Sequence, residues 1–422
     1  MLRDSSLSIP ETMKETLEKR LPSALPVLIS GCLLLVLSMG YRAGFGIFMQ
    51  PMSEAHGWGR NVLSFALAIQ NLAWGVIAVF AGGLADRYGN LKVLLAGVGC
   101  YAAGMWGMSY ASTSAEIIAT AGILVGAGIA GTAFGIVLPA LARAVPESRR
   151  GWALGLGTAA GSFGQFLIVP FMQEIVDLTG WFRALQIISL TGLTMAVLAL
   201  PLAPYSGSSD KSPEVIEGSL WQIMIRALGV RSYRLLVAGF FVCGFHVAFI
   251  TVHMPGYVVD LGFSPKIGAW SISLIGLCNI FGAYGSGILS GKRPKRTLLT
   301  FIYSGRVVVI LLFLFTPVSL GSILAFSAAM GFLWLATVPP TTGLVAVFFG
   351  TRYMTFLYAI VFLSHQVGSF IGVWLGGLLY EIFGNYDAIW IAGAVLGLLA
   401  ALLHWPIKEQ SHIPQLQRVS AR

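Results

Sequence analysis

Long apolar runs separated by short polar ones fill this 422-residue chain. Crossing a hydrocarbon layer of about 30 Å takes roughly 20 mostly apolar helical residues, and twelve runs reach that length. They begin near Pro26, Asn61, Lys92, Ala115, Gly151, Trp181, Tyr233, Lys266, Thr297, Gly321, Thr351 and Tyr386. The pattern predicts an all-α membrane protein with twelve transmembrane helices and no sizeable soluble domain. Composition points the same way: 56% of residues are hydrophobic and 10% charged, well outside the soluble range. Charged sequence from Glu11 to Arg20 precedes the first run, and no small-residue cleavage site follows a short apolar core. A cleaved signal peptide is therefore not expected.

A net charge of +9 in a soluble protein would suggest nucleic acid; here its placement speaks to topology. With loops allotted to alternate sides, 21 of the 26 Lys and Arg fall on one side, in the amino-terminal segment, the even-numbered loops and the tail. Arg60, Arg183 and Lys266 fall on the other. The positive-inside rule predicts that both termini are cytoplasmic, in a cell membrane of the bacterial inner-membrane type, with the lipid bilayer and not nucleic acid as the surroundings. Two arginines, Arg42 and Arg306, remain inside spans. Cys32, Cys100, Cys243 and Cys278 also lie within spans, show no metal-ligand spacing and read as packing residues. No metal or other cofactor is expected.

The chain also repeats itself. Gly40-Tyr41-Arg42-Ala43-Gly44-Phe45-Gly46-Ile47-Phe48-Met49-Gln50-Pro51 aligns with Gly244-Phe245-His246-Val247-Ala248-Phe249-Ile250-Thr251-Val252-His253-Met254-Pro255, matching at a glycine, a phenylalanine and a proline. Arg42 falls on His246. Gly161-Ser162-Phe163 and Gly368-Ser369-Phe370 match at nearly the same offset, as do Glu174 and Glu381. Such duplication is a hallmark of transporters. It predicts an amino-terminal segment 1–25, a six-helix half 26–204, a cytoplasmic central loop 205–232, a second six-helix half 233–407 and a cytoplasmic tail 408–422.

Between the second and third spans stands Gly82-Gly83-Leu84-Ala85-Asp86-Arg87-Tyr88-Gly89-Asn90-Leu91-Lys92. Here the chain resembles the major facilitator superfamily over essentially its whole length, the loop being similar to that family's G-x-L-A-D-R-x-G-R-R signature. It departs at Asn90 and Leu91, where basic residues are usual. The resemblance implies two pseudo-symmetric six-helix halves, and a cytoplasmic latch between them formed by Asp86 and Arg87 with Gly82 and Gly89. A carboxylate beside helix amino-termini with a partner arginine would favour one closed arrangement. The glycine spacing and later proline of Gly155 to Pro170 look like the monocarboxylate transporter branch, as does Gly350-Thr351-Arg352-Tyr353. That branch carries an acid and an arginine in span eight, where this chain has Leu277-Cys278-Asn279-Ile280-Phe281.

In such a fold the substrate lies at mid-membrane between the halves. An intramembrane charge is costly, so one that persists usually faces a cavity or a partner. Arg42 and His246 are the leading substrate-site candidates. Tyr41, Phe45 and Phe249 are aromatic neighbours, and His365, Gln366, Asn71 and Gln165 are polar groups on other spans. None of the 17 acids lies mid-span, so the cavity should carry positive potential and favour an anion. Guanidinium holds a carboxylate by two parallel hydrogen bonds. With no buried carboxylate to carry a coupling proton, His246, His253 or His365 is the natural titrating group. Arg306, on a span expected to pack outside the central pathway, is left without an assigned role.

These features predict a monomeric secondary active transporter of a small organic anion, monocarboxylate-like, moved with a proton. A transporter of an aromatic or heterocyclic solute such as a vitamin or drug is the alternative within the class, and a transporter-like sensor the alternative outside it. No H-E-x-x-H, nucleophile elbow or P-loop supports an enzyme.

Overall fold

A computed structural model describes residues 24–146, 149–205, 220–350 and 354–412. Among them all regular structure is helical. The spans are Ala24–His56, Arg60–Ala85, Asn90–Tyr110, Ser114–Arg143, Arg150–Tyr205, Arg231–Asp260, Pro265–Lys292, Lys295–Phe315, Leu320–Phe349, Phe356–Phe383 and Asp387–His404. The fifth of these stretches runs 56 residues, far more than one crossing needs. Gly180 divides it, with φ 77° and ψ 161°, a conformation that glycine adopts without penalty. Its arms, 150–179 and 181–205, are the fifth and sixth spans, and the twelve expected crossings are present.

Packing follows the duplication. Span one lies on five, and two and three on four; span seven lies on eleven, eight on ten and nine on twelve. The two sets of six meet chiefly along two seams, two against eleven and five against eight, with span one also touching span seven. The aligned glycines explain the tightest contacts. A Cβ on Gly40 would stand 2.6 Å from Cβ of Ile168 in span five, and Gly244 abuts the His365 carbonyl in span eleven. Only a missing side chain lets these helices approach so closely.

Paired side chains repeat as well. Ser38 Oγ meets Thr132 Oγ1 at 2.8 Å between spans one and four. Cys243 Sγ meets Thr337 Oγ1 at 3.2 Å between spans seven and ten, each residue 205 positions after its counterpart.

The halves are tied at the sparsely basic end. Arg60 of span two grips Asp260 of span seven through both carboxylate oxygens, at 2.6 and 2.7 Å, with Tyr380 stacked 4.0 Å from its guanidinium carbon. Lys266 of span eight reaches Glu174 at 2.8 Å and Asp177 at 3.7 Å, both on span five. Asn61 N donates to Glu381 Oε1 at 3.2 Å. At the basic end Gly82, Gly83, Gly285 and Gly287 face open space. One departure from expectation concerns the central loop: within 205–232 stands a ten-residue helix, Leu220–Gly229. It buries Ile223 and Ala227 and exposes Trp221 and Ile225.

Candidate substrate site

The Arg42 side chain lies just before span one tightens into a 3-10 turn, Phe45–Phe48. Its Nη2 donates to Asn71 Oδ1 at 3.1 Å, and its guanidinium carbon lies 4.8 Å from the centre of the Trp74 ring. Asn71 and Trp74 are three residues apart on span two and share a face. The Asn71 amide nitrogen donates to Leu67 O at 2.9 Å, which turns its oxygen toward the arginine.

The other half completes this wall. Gln366 Nε2 donates to Asn71 O at 3.0 Å, while its Oε1 lies 3.1 Å from His365 Nδ1. His365 stacks on Phe362 at 5.7 Å, and Phe362 meets Trp74 edge-on at 5.5 Å. Arg42, Asn71, His365 and Gln366 are thus brought together. Trp74 and Phe362, which the sequence reading passed over, join them. Their signal was helical spacing: each stands three residues from a polar residue already singled out. Arg42 is half-buried and, among the described residues, pairs with no carboxylate. A guanidinium has five N–H donors, so donors remain for a further acceptor.

Other predicted site residues lie elsewhere. His246 matches Arg42 in chain position, but its Nε2 meets Gly393 O of span twelve at 2.8 Å, so the two side chains do not converge. Phe249 packs edge-on against Trp390 at 4.9 Å, within the same half. Tyr41 hydroxyl meets Thr191 Oγ1 of span six at 3.0 Å, and Phe45 stacks on Tyr101 at 6.5 Å. Gln165 donates to Ile272 O at 2.8 Å and stitches the five–eight seam.

His253 stands nearer the clamped end. Val373 O, a pure acceptor, lies 2.8 Å from Nε2, so Nε2 carries the hydrogen. Nδ1 then accepts from the Tyr386 hydroxyl at 3.2 Å, and that hydroxyl accepts from Arg60 Nη1 at 3.0 Å. A continuous relay joins His253 to the Arg60–Asp260 clamp.

Arg306 has 0% relative exposure and no acidic partner among the described residues. Its surroundings explain why. Span ten breaks after Leu320–Leu333 and resumes at Val338–Phe349, with Pro339 and Pro340 in the first turn of the second piece, where proline is tolerated and a helix interior would not accept it. The end of a helix leaves carbonyls without partners and carries partial negative charge. Arg306 Nη2 donates to Leu333 O at 3.0 Å and contacts Trp334 O, while Cys243 Sγ lies at 3.6 Å. Asn279 Oδ1 takes the Leu335 N–H at 2.9 Å. The arginine caps a broken helix. Its counterpart 205 positions earlier, Tyr101, donates to Ser38 O at 3.0 Å.

In the signature loop, Gly89 has φ 94° and closes span two through its N–H to Ala85 O at 2.9 Å. Gly82 faces open space. Arg87 lies over Tyr88 at 5.3 Å and forms no ion pair across the halves among the described residues. The Asp86 side chain lies outside the described set, as do Thr351, Arg352 and Tyr353.

A bundle of two equivalent six-helix halves with a cation on their shared wall defines a membrane transporter of the duplicated type. The model of the Major Facilitator Superfamily matches residues 31–372, and the chain belongs to that superfamily. An uncharacterized MFS-type transporter, YcxA of Bacillus subtilis (strain 168), is 25% identical over 82% of this chain and 86% of its own. Monocarboxylate transporter 13 of Rattus norvegicus is 25% identical over 90% of this chain and 89% of its own. Among solved structures, a D-xylose-proton symporter superposes with a TM-score of 0.72 at 17% identity, over 94% of this chain and 99% of that one. A bacterial homolog of the lysosomal transporter Spinster, inward-facing and unoccupied, gives 0.74 at 14% identity, over 91% and 96%.

Proposed function

We propose that this transporter carries a small organic anion, monocarboxylate-like, across the cell membrane by alternating access, coupled to protons. The observation that carries the reading is Arg42: a mid-span cation, oriented by an amide and an aromatic face, without an acidic partner among the described residues, on a wall to which both halves contribute. Such a charge costs about 2.5 to 3.5 kcal/mol on insertion scales. A carboxylate held by two parallel hydrogen bonds offsets that cost. Trp74 and Phe362 offer apolar surface to the rest of the solute, and the stacking of Phe362 on His365 also suits an anion with an aromatic or heterocyclic body. The name of the rat relative supports a monocarboxylate, and that of the xylose symporter supports proton coupling.

The clamp at the sparsely basic end is the arrangement expected of one of two end states, which rocking of the halves would exchange. By the positive-inside rule the clamped end faces away from the cytoplasm. His365 on the wall and His253 on the clamp relay are the groups best placed to carry the proton. A thermal-shift screen of the purified protein tests the substrate class. Carboxylates are expected to raise the melting temperature, and Arg42→Gln to abolish the rise; protection by amines alone would refute the anion reading.

A further inference from the structure

At the basic end of the second half lies a cavity of about 610 Å³, lined by residues 290–296 and 408–410. Lys292, Arg293, Lys295, Arg296 and Lys408 project around it, against a single acid, Glu409. Glu409 Oε1 accepts from Arg296 N at 2.8 Å, and Arg296 Nη1 donates to Ile407 O at 3.2 Å. The loop between spans eight and nine is thereby tied to the segment after span twelve. The Lys295 stem crosses Gly343, where a Cβ would stand 2.6 Å from its Cε. Among the described residues Lys292, Arg293, Lys295 and Lys408 have no ion-pair partner.

Arg296 also lines a second cavity of about 110 Å³, with Thr297, Thr300 and Trp405. This one runs between spans nine and twelve, where its lining residue Trp405 is 66% exposed. A cationic pocket at the membrane boundary thus continues into a groove on the lipid-facing side. Free phosphate would answer the cations and leave the groove unfilled; a zwitterionic lipid would fill the groove and leave the cations largely unanswered. We propose that the two cavities together bind one anionic phospholipid, its phosphate among Lys292, Arg293 and Lys295 and an acyl chain along Trp405.

Native mass spectrometry of the full chain in detergent, titrated with phosphatidylglycerol, tests this. One tightly retained lipid is expected per protein. Each cation near an anionic headgroup is worth about fivefold in affinity, so the triple variant K292Q/R293Q/K295Q should bind about a hundredfold more weakly. A control variant, R149Q/R150Q, removes two cations from the loop between spans four and five and should retain the lipid. Trp405→Ala should weaken phosphatidylglycerol while leaving binding of glycerol 3-phosphate unchanged. Undiminished retention by the triple variant would overturn the site. Equal losses in the control would make it a diffuse field. Displacement of the lipid by inorganic phosphate at equal concentration would overturn the lipid as occupant.

Discussion

Arg42 and Arg306 are both cations on membrane spans, and their surroundings separate them. Arg306 answers backbone carbonyls of the broken span ten and leaves only Nη1 unpaired, inside the second half, whereas Arg42 is half-buried on a wall that both halves share. Replacing Arg306 by Met should orphan two buried carbonyls at about 1 to 3 kcal/mol each. The melting temperature of purified protein should fall by the same amount with and without carboxylate. An unchanged melting temperature would sink the capping role. The sequence showed Arg42 plainly, because a charge inside an apolar run stands out. Its pairing with His246 was legible only as chain position: a repeat aligns residues along a helix, while the rotation that points each side chain depends on its neighbours. Arg306 was visible, but its role needed the break ahead of Pro339 and Pro340 to be set beside span nine.

At the scale of elements, the clamp and its relay are the parts most open to experiment. Arg60 holds Asp260 by two charge-assisted hydrogen bonds, each worth more than a neutral one. Asp260→Asn should speed hydrogen exchange in residues 56–66 and 256–262 by about tenfold if about 1.4 kcal/mol of clamping is lost; unaltered exchange would show that the clamp does not hold this end. The relay adds a pH dependence with a definite sign. His253 Nδ1 accepts from Tyr386, so a proton on that nitrogen removes the acceptor and loosens the tyrosine that steadies Arg60. Tyr386, Arg60 and Asp260 are the other titratable or charged groups of the relay. Exchange at this end should therefore quicken once the pH falls far enough to protonate His253. It should lose that dependence in His253→Gln. A flat profile in the unaltered protein would move the coupling role to His365. The elements themselves were legible from apolar run length; the helix Leu220–Gly229 was not, being too short and too polar in its flanks to register as a span.

For the whole molecule, duplication organises both fold and site. Two sets of six helices with matching glycine contacts and matching Ser38–Thr132 and Cys243–Thr337 pairs give two bodies that meet chiefly along the two–eleven and five–eight seams. The substrate wall draws on both, so movement of one half against the other would remake it. The fold could be read because hydrophobic length and internal repetition survive in one dimension. The wall could be read only in part, since Trp74 and Phe362 acquire meaning from the seam between spans two and eleven.

The most direct test of the account is uptake of a labelled monocarboxylate by proteoliposomes under an imposed proton gradient, comparing the unaltered protein with Arg42→Ala. The account expects uptake to be abolished in the variant while its melting temperature, without substrate, stays close to that of the unaltered protein. Full gradient-driven uptake by Arg42→Ala would contradict it.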